Sequence, residues 1–188
     1  MLDKAEIFLS LGCNTMLVDF MGSGRSEGDQ TTIGYFEAEE VKTAFDYLEK
    51  NGEKEIVLFG TSMGAVAIMK AIRDYSLAPS SIIVECPFGT MLHTAEARFK
   101  LLDVPSFPMA GLLVFWGGVQ NNFNAFRHNP SEYAKAITCP NVLPHRRSSG
   151  LVTEILQSKT KLQRNRNHQP SDIPKLRLCA VTSWRFHV

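Results

Sequence analysis

An α/β fold, with a mostly parallel sheet and helices on both of its faces, is predicted by three observations. Short apolar runs, "MLV", "IVLF" and "SIIV", recur in the first 90 residues, and each is continuous rather than alternating, as strands covered on both faces require. Segments with apolar residues three and four apart separate them, the pattern of helices lying on a sheet. The order strand, helix, strand, helix, strand implies right-handed crossovers and parallel pairing.

In chain order, Ile7, Phe8 and Leu11 stand at helical spacing and are followed by Gly12, where a helix C-terminus favours glycine. Met16, Leu17 and Val18 form the first strand, expected to be buried. A loop rich in glycine, "MGSGRSEGDQTTIG", follows. From 35 to 50, Val41, Ala44, Phe45 and Leu48 recur with acids and lysines between them and end at Asn51-Gly52, which reads as an amphipathic helix. "EIVLFG" is a second strand and "MGAVAIMKAIRDYSL" a helix whose Gly64, Ala65 and Ala71 allow close approach to a sheet. "SSIIVECPFG" is a third strand, stopped by Pro87. A mixed helix around 95–102 precedes "VPSFPMAGLLVFWGGVQNNFNAF". A run this apolar, with prolines and glycines, is core or a packed loop, or else a lid over an apolar pocket.

The 188 residues, 44% hydrophobic and 21% charged, suit one globular domain. The longest apolar stretch, 107–119, falls short of the roughly 20 residues that span a membrane, so no span is expected. The acidic N-terminus lacks the regions of a secretory signal, which predicts a cytoplasmic chain. Cys13, Cys86, Cys139 and Cys179 form no C-x-x-C pair, so neither a metal site nor a disulfide framework is expected. The net charge of +1 hides a division. Residues 1–140 carry 11 Lys/Arg against 17 Asp/Glu, a balance of −6; residues 141–188 carry 9 against 2, a balance of +7.

Gly60-Thr61-Ser62-Met63-Gly64 has the form G-x-S-x-G and lies between the second strand and its helix. A serine hydroxyl is a weak nucleophile unless a base and a presenting geometry activate it. The flanking glycines permit a sharp, strained turn that lifts the Ser62 oxygen out of the sheet. There the N–H of Met63 and the positive end of the helix face a developing oxyanion. One strand earlier, residues 19–26 read Asp-Phe-Met-Gly-Ser-Gly-Arg-Ser. This is neither a P-loop, lacking the Gly-Lys-Ser/Thr ending, nor a G-x-G-x-x-G, since position 27 is Glu. No cofactor is therefore expected.

Together, "LVDFMGSGRSEG" and "LFGTSMGA" resemble the α/β-hydrolase superfamily, and "FLSLGCNTMLVDFMGSGRSEG" with "HNPSEYAKAITCP" is most similar to its serine-aminopeptidase-like and monoacylglycerol-lipase-like hydrolases. The resemblance covers about residues 5–140. It implies Ser62 as nucleophile and Met63 as one oxyanion donor. It also implies a Gly-x-x-Asp turn after a strand introduced by "ITCP", then a late histidine loop, and an upstream segment giving the second oxyanion N–H. None of these is recognisable here. Beyond Pro140 the acids are Glu154 and Asp172, and the histidines are His145, His168 and His187. Asp172 and His187 have the right order without the family's context. Glu85, at a strand end, is another candidate acid, with a paired or solvated strand-end carboxylate as its plainer role. Surface or core roles are expected for His93 and His128.

The expectation is a serine hydrolase acting on small esters or amides with an apolar portion through an acyl-enzyme. Its fold would be partial: 1–140 the central part of the domain, about 90–127 a lid or cap, and 141–188 an atypical basic tail arising from a shifted reading frame or left disordered. Lacking triad partners, such a chain would be weakly active or inactive, and bare sheet edges would favour self-association. The alternative is a non-catalytic α/β module whose basic tail contacts nucleic acid or anionic lipid.

Overall fold

A computed structural model describes residues 2–142 and 177–181. Its elements are α1 (Leu2–Ser10), β1 (Asn14–Val18), α2 (Glu37–Lys50), β2 (Ile56–Thr61), α3 (Met63–Tyr75), β3 (Ser81–Glu85), α4 (Met91–Leu101), α5 (Met109–Gln120), a 3-10 turn (Ala125–Arg127), α6 (Pro130–Ala134), β4 (Asn141–Val142) and β5 (Arg177–Val181). The five strands form one parallel sheet in the order β1-β5-β2-β3-β4.

The predicted class holds, because β2 buries both of its faces. Ile56 and Leu58 point into a core shared with Val41 and Phe45 of α2, Val66 and Ile68 of α3, and Ile82 and Val84 of β3. Val57 and Phe59 alternate to the other side, where Phe8 of α1 meets Phe59 edge-on at 5.4 Å between ring centroids. Small residues at Ala65, Ala67 and Ala71, all fully buried, let α3 lie close on the sheet.

Three expectations are corrected. First, among the described residues β1 is an edge strand, paired with β5 alone, and Leu17 is 40% exposed rather than buried. Second, strands do follow Pro140. β4 pairs with β3, Ile82 opposite Asn141, and β5 enters the sheet between β1 and β2, so β2 is flanked on both sides. Neither is marked in the sequence, since Asn141–Val142 is only two residues long and Arg177–Val181 opens with a charge. Third, the apolar segment after residue 103 is neither core nor irregular: it contains α5, which buries only Ala110, Val114 and Gly118. The expectations for Glu154, Asp172, His145, His168 and His187, and for a shifted frame, lie outside the described residues.

Candidate functional site

The turn at Ser62 is forced by what surrounds it. β2 ends at Thr61, and Ser62 reverses the chain with φ 52° and ψ −108°, a left-handed conformation that a residue with a Cβ seldom adopts. Two backbone hydrogen bonds hold it there. The Ser62 N–H donates to the Glu85 carbonyl of β3 (2.8 Å), and the Ser62 carbonyl accepts from Val66 N–H (3.1 Å) in the first turn of α3. Glycine is obligatory at 60, since a Cβ there would stand 2.5 Å from the Gly64 carbonyl carbon. The outcome is an exposed Ser62 on the end of a buried strand, with Met63 and Gly64 buried behind it. No side chain caps α3, so the N–H groups of its first turn keep their donor capacity beside the Ser62 hydroxyl.

A shell of polar contacts fixes the wall behind this turn. Glu37, the first residue of α2 and 3% exposed, accepts hydrogen bonds from Thr31 Oγ1 (2.8 Å), Thr32 N–H (2.8 Å), Thr32 Oγ1 (2.5 Å) and Gly34 N–H (2.9 Å). Four donors and the positive end of α2 offset the cost of burying this carboxylate. The loop it gathers touches α3 directly, where Thr31 Oγ1 lies 3.2 Å from Met63 Sδ. Ile33 within it takes φ 55°, unusual for a β-branched residue. Its carbonyl is held by His128 Nε2 at 3.0 Å.

His128 is fully buried, with Nδ1 2.9 Å from the Tyr133 hydroxyl, which makes Nε2 the donor to Ile33 and Nδ1 the acceptor from Tyr133. Burial lowers its pKa, and the nearby charges of Lys70 and Arg73 act in the same direction, against the Ile33 carbonyl and Glu37. It is a structural tie between the loop and α6, as the sequence suggested for a core role. His93 is exposed on α4, 3.9 Å from Glu96. Neither histidine is hydrogen-bonded to Ser62.

Glu85 is close to the turn but engaged. Its carboxylate accepts from Thr61 Oγ1 at 2.8 Å and pairs with Lys4 of α1. Burial raises its pKa, yet the hydrogen bonds from Lys4 and Thr61 outweigh burial and leave it below the usual value. The glycine-rich segment at 19–26 closes a tight turn of its own, with Ser26 Oγ donating to the Asp19 carbonyl (2.6 Å) and Ser23 N–H to the Phe20 carbonyl (2.8 Å). Gly24 lies against the Asp19 carboxylate, leaving no room for a side chain. That contact gives Asp19 and Gly24 of the D-x-x-G-x-G pattern a structural role.

Ser62, Met63 and Glu85 were singled out by the sequence pattern, whereas Lys4, Glu37 and the loop at 31–34 were not. Lys4 lies 81 residues from its partner, and no local spacing signals such a pair. Glu37 carried a weak signal, an acid at the start of a helix just after two threonines. Among the described residues, no group of His, Cys, Asp and Glu could hold a metal ion, and no helix is long and apolar enough to cross a membrane.

The family model described as "serine aminopeptidase, S33" matches residues 2–176. The uncharacterized protein YqkD of Bacillus subtilis (strain 168) is 26% identical over 167 residues, covering 83% of this chain and 54% of YqkD. The Pyrococcus furiosus esterase Pf2001 superposes with a TM-score of 0.47 and 20% identity, covering 87% of this chain and 58% of the esterase. The chain thus spans little more than half the length of either relative.

Proposed function

The chain belongs to the serine aminopeptidase S33 family, within the α/β-hydrolase superfamily, and we propose that Ser62 is its nucleophile in ester or amide hydrolysis. The observation that carries this reading is the exposed Ser62 at φ 52°, ψ −108°, aligned with an uncapped helix N-terminus. Ser62 Oγ adds to the substrate carbonyl carbon and gives up its proton to a base. The N–H of Met63 stabilises the oxyanion that forms. The C–O or C–N bond then breaks, the leaving group takes the proton, and water hydrolyses the acyl-enzyme by the same steps.

The described residues supply the nucleophile and one oxyanion donor. Among them no histidine is hydrogen-bonded to Ser62: His128 is held by Tyr133 and Ile33, and His93 stands exposed on α4. Loss of triad partners costs several powers of ten in rate, so slow turnover is expected if the tail histidines do not serve. The substrate this reading favours is a small ester or amide with an apolar portion.

The reading is tested with p-nitrophenyl butyrate, following nitrophenolate release and the mass of the intact protein. One butyryl group per chain is expected, at Ser62, and Ser62→Ala abolishes it. Equal acylation of the Ser62→Ala variant overturns the assignment.

A further inference from the structure

We propose that the hairpin formed by α4 and α5 docks this protein on an anionic lipid surface, with α5 lying in the plane of the interface. The inference does not depend on the role of Ser62.

Eighteen large hydrophobic side chains are exposed among the described residues, and ten of them fall between 101 and 119. Leu101 is 82% exposed, Phe107 90%, Leu113 58% and Trp116 62%. Helix α5 turns a narrow stripe, Ala110, Val114 and Gly118, toward α4 and the 3-10 turn, and the rest of its circumference faces outward. Ten such side chains expose on the order of 1,000 Å² of apolar surface, against the few hundred of an ordinary patch.

The chemistry favours lipid over a protein partner. From Val104 to Val119 there is no charged residue, and the only polar side chain is Ser106. A protein interface sets its register through roughly one hydrogen bond per 100–200 Å², which this surface cannot supply, whereas an acyl boundary asks for none. Tryptophan suits the headgroup boundary, and phenylalanine and leucine the apolar face that an interfacial helix buries. Twelve helical residues span only about 18 Å, too short to cross a bilayer but suited to lying in its surface.

The flanks add charge. Arg98, Lys100 and Arg127 are exposed on or beside the hairpin, against Glu96 and Asp103 within it, and the sequence beyond 140 carries nine Lys/Arg against two Asp/Glu. Stable surface binding takes two signals, an apolar one and a basic one, and this chain carries both.

The experiment uses the full chain carrying Trp184→Phe, which leaves Trp116 as the sole tryptophan, with vesicles of phosphatidylcholine alone or mixed with phosphatidylglycerol. With the mixed vesicles, Trp116 emission is expected to move to shorter wavelength and to be quenched by lipids brominated on their acyl chains. Leu113→Glu, at an exposed site, is expected to keep the circular dichroism spectrum and weaken partitioning about tenfold or more. Vesicle binding without quenching of Trp116 overturns the proposal, since the basic residues alone would then bind. Absence of binding also overturns it, and sedimentation then distinguishes a face covered by a second copy, a dimer, from an uncovered monomer. Equal binding to the neutral vesicles overturns the anionic part.

Discussion

Helices α3 and α5 are nearly equal in length, 13 and 12 residues, and both are dominated by apolar and small side chains, yet α3 buries ten residues and α5 three. The difference lies in what each helix is laid against. Helix α3 sits between the sheet and α2, with Ala65, Ala67 and Ala71 at zero exposure, whereas among the described residues α5 packs mainly on α4 and a 3-10 turn. Apolar composition therefore states what a helix can bury, and topology decides whether anything is there to bury it.

The largest expected effect separates the two helices directly. Ile68→Ala in α3 removes a fully buried side chain and is expected to cost about 2–5 kcal/mol, whereas Leu113→Ala in α5 should stay within about 0.5 kcal/mol. Urea unfolding of the two variants measures both, and equal losses would break the comparison.

Next in size is the polar shell around the α3 N-terminus. Glu37→Ala strands the hydrogen-bond donors of Thr31, Thr32 and Gly34, and a loss of about 2–3 kcal/mol is expected with the hydrophobic packing otherwise unchanged. An equally stable variant would mean that the loop at 31–34 is held by packing alone.

The smallest effect is pH-dependent. His128 is held neutral, with its folded pKa below the ordinary 6.5, so the unfolded chain binds a proton more readily. Its contribution is fully present above about pH 6.5 and is lost as the pH falls through that value toward the folded pKa. The thermal midpoint is expected to drop between pH 7.5 and 5.5, and His128→Asn should flatten the slope while lowering the midpoint at pH 7.5. A slope unchanged in the variant would assign the dependence to other groups.

Much of the fold was legible because its central strands are local signals. "IVLF" and "SIIV" are continuous apolar runs bounded by turn residues, and α2 shows its buried face through Val41, Ala44 and Phe45. What was illegible depended on partners distant in sequence. The edge position of β1 follows from where β5 enters the sheet, 159 positions after Val18. The same division runs through the site. Gly60 and Ser62 are readable because the elbow is made of consecutive residues, whereas the Lys4–Glu85 pair and the His128–Ile33 contact join positions 81 and 95 apart.

The central claim is that the strained turn at the head of α3 makes Ser62 the reactive serine of this chain. Fluorophosphonate labelling followed by peptide mapping tests it most directly. Modification concentrated on Ser62, absent in Ser62→Ala and lost in Gly60→Val, where the Cβ meets the Gly64 backbone, is the predicted result. Labelling of another serine in preference to Ser62 would contradict it.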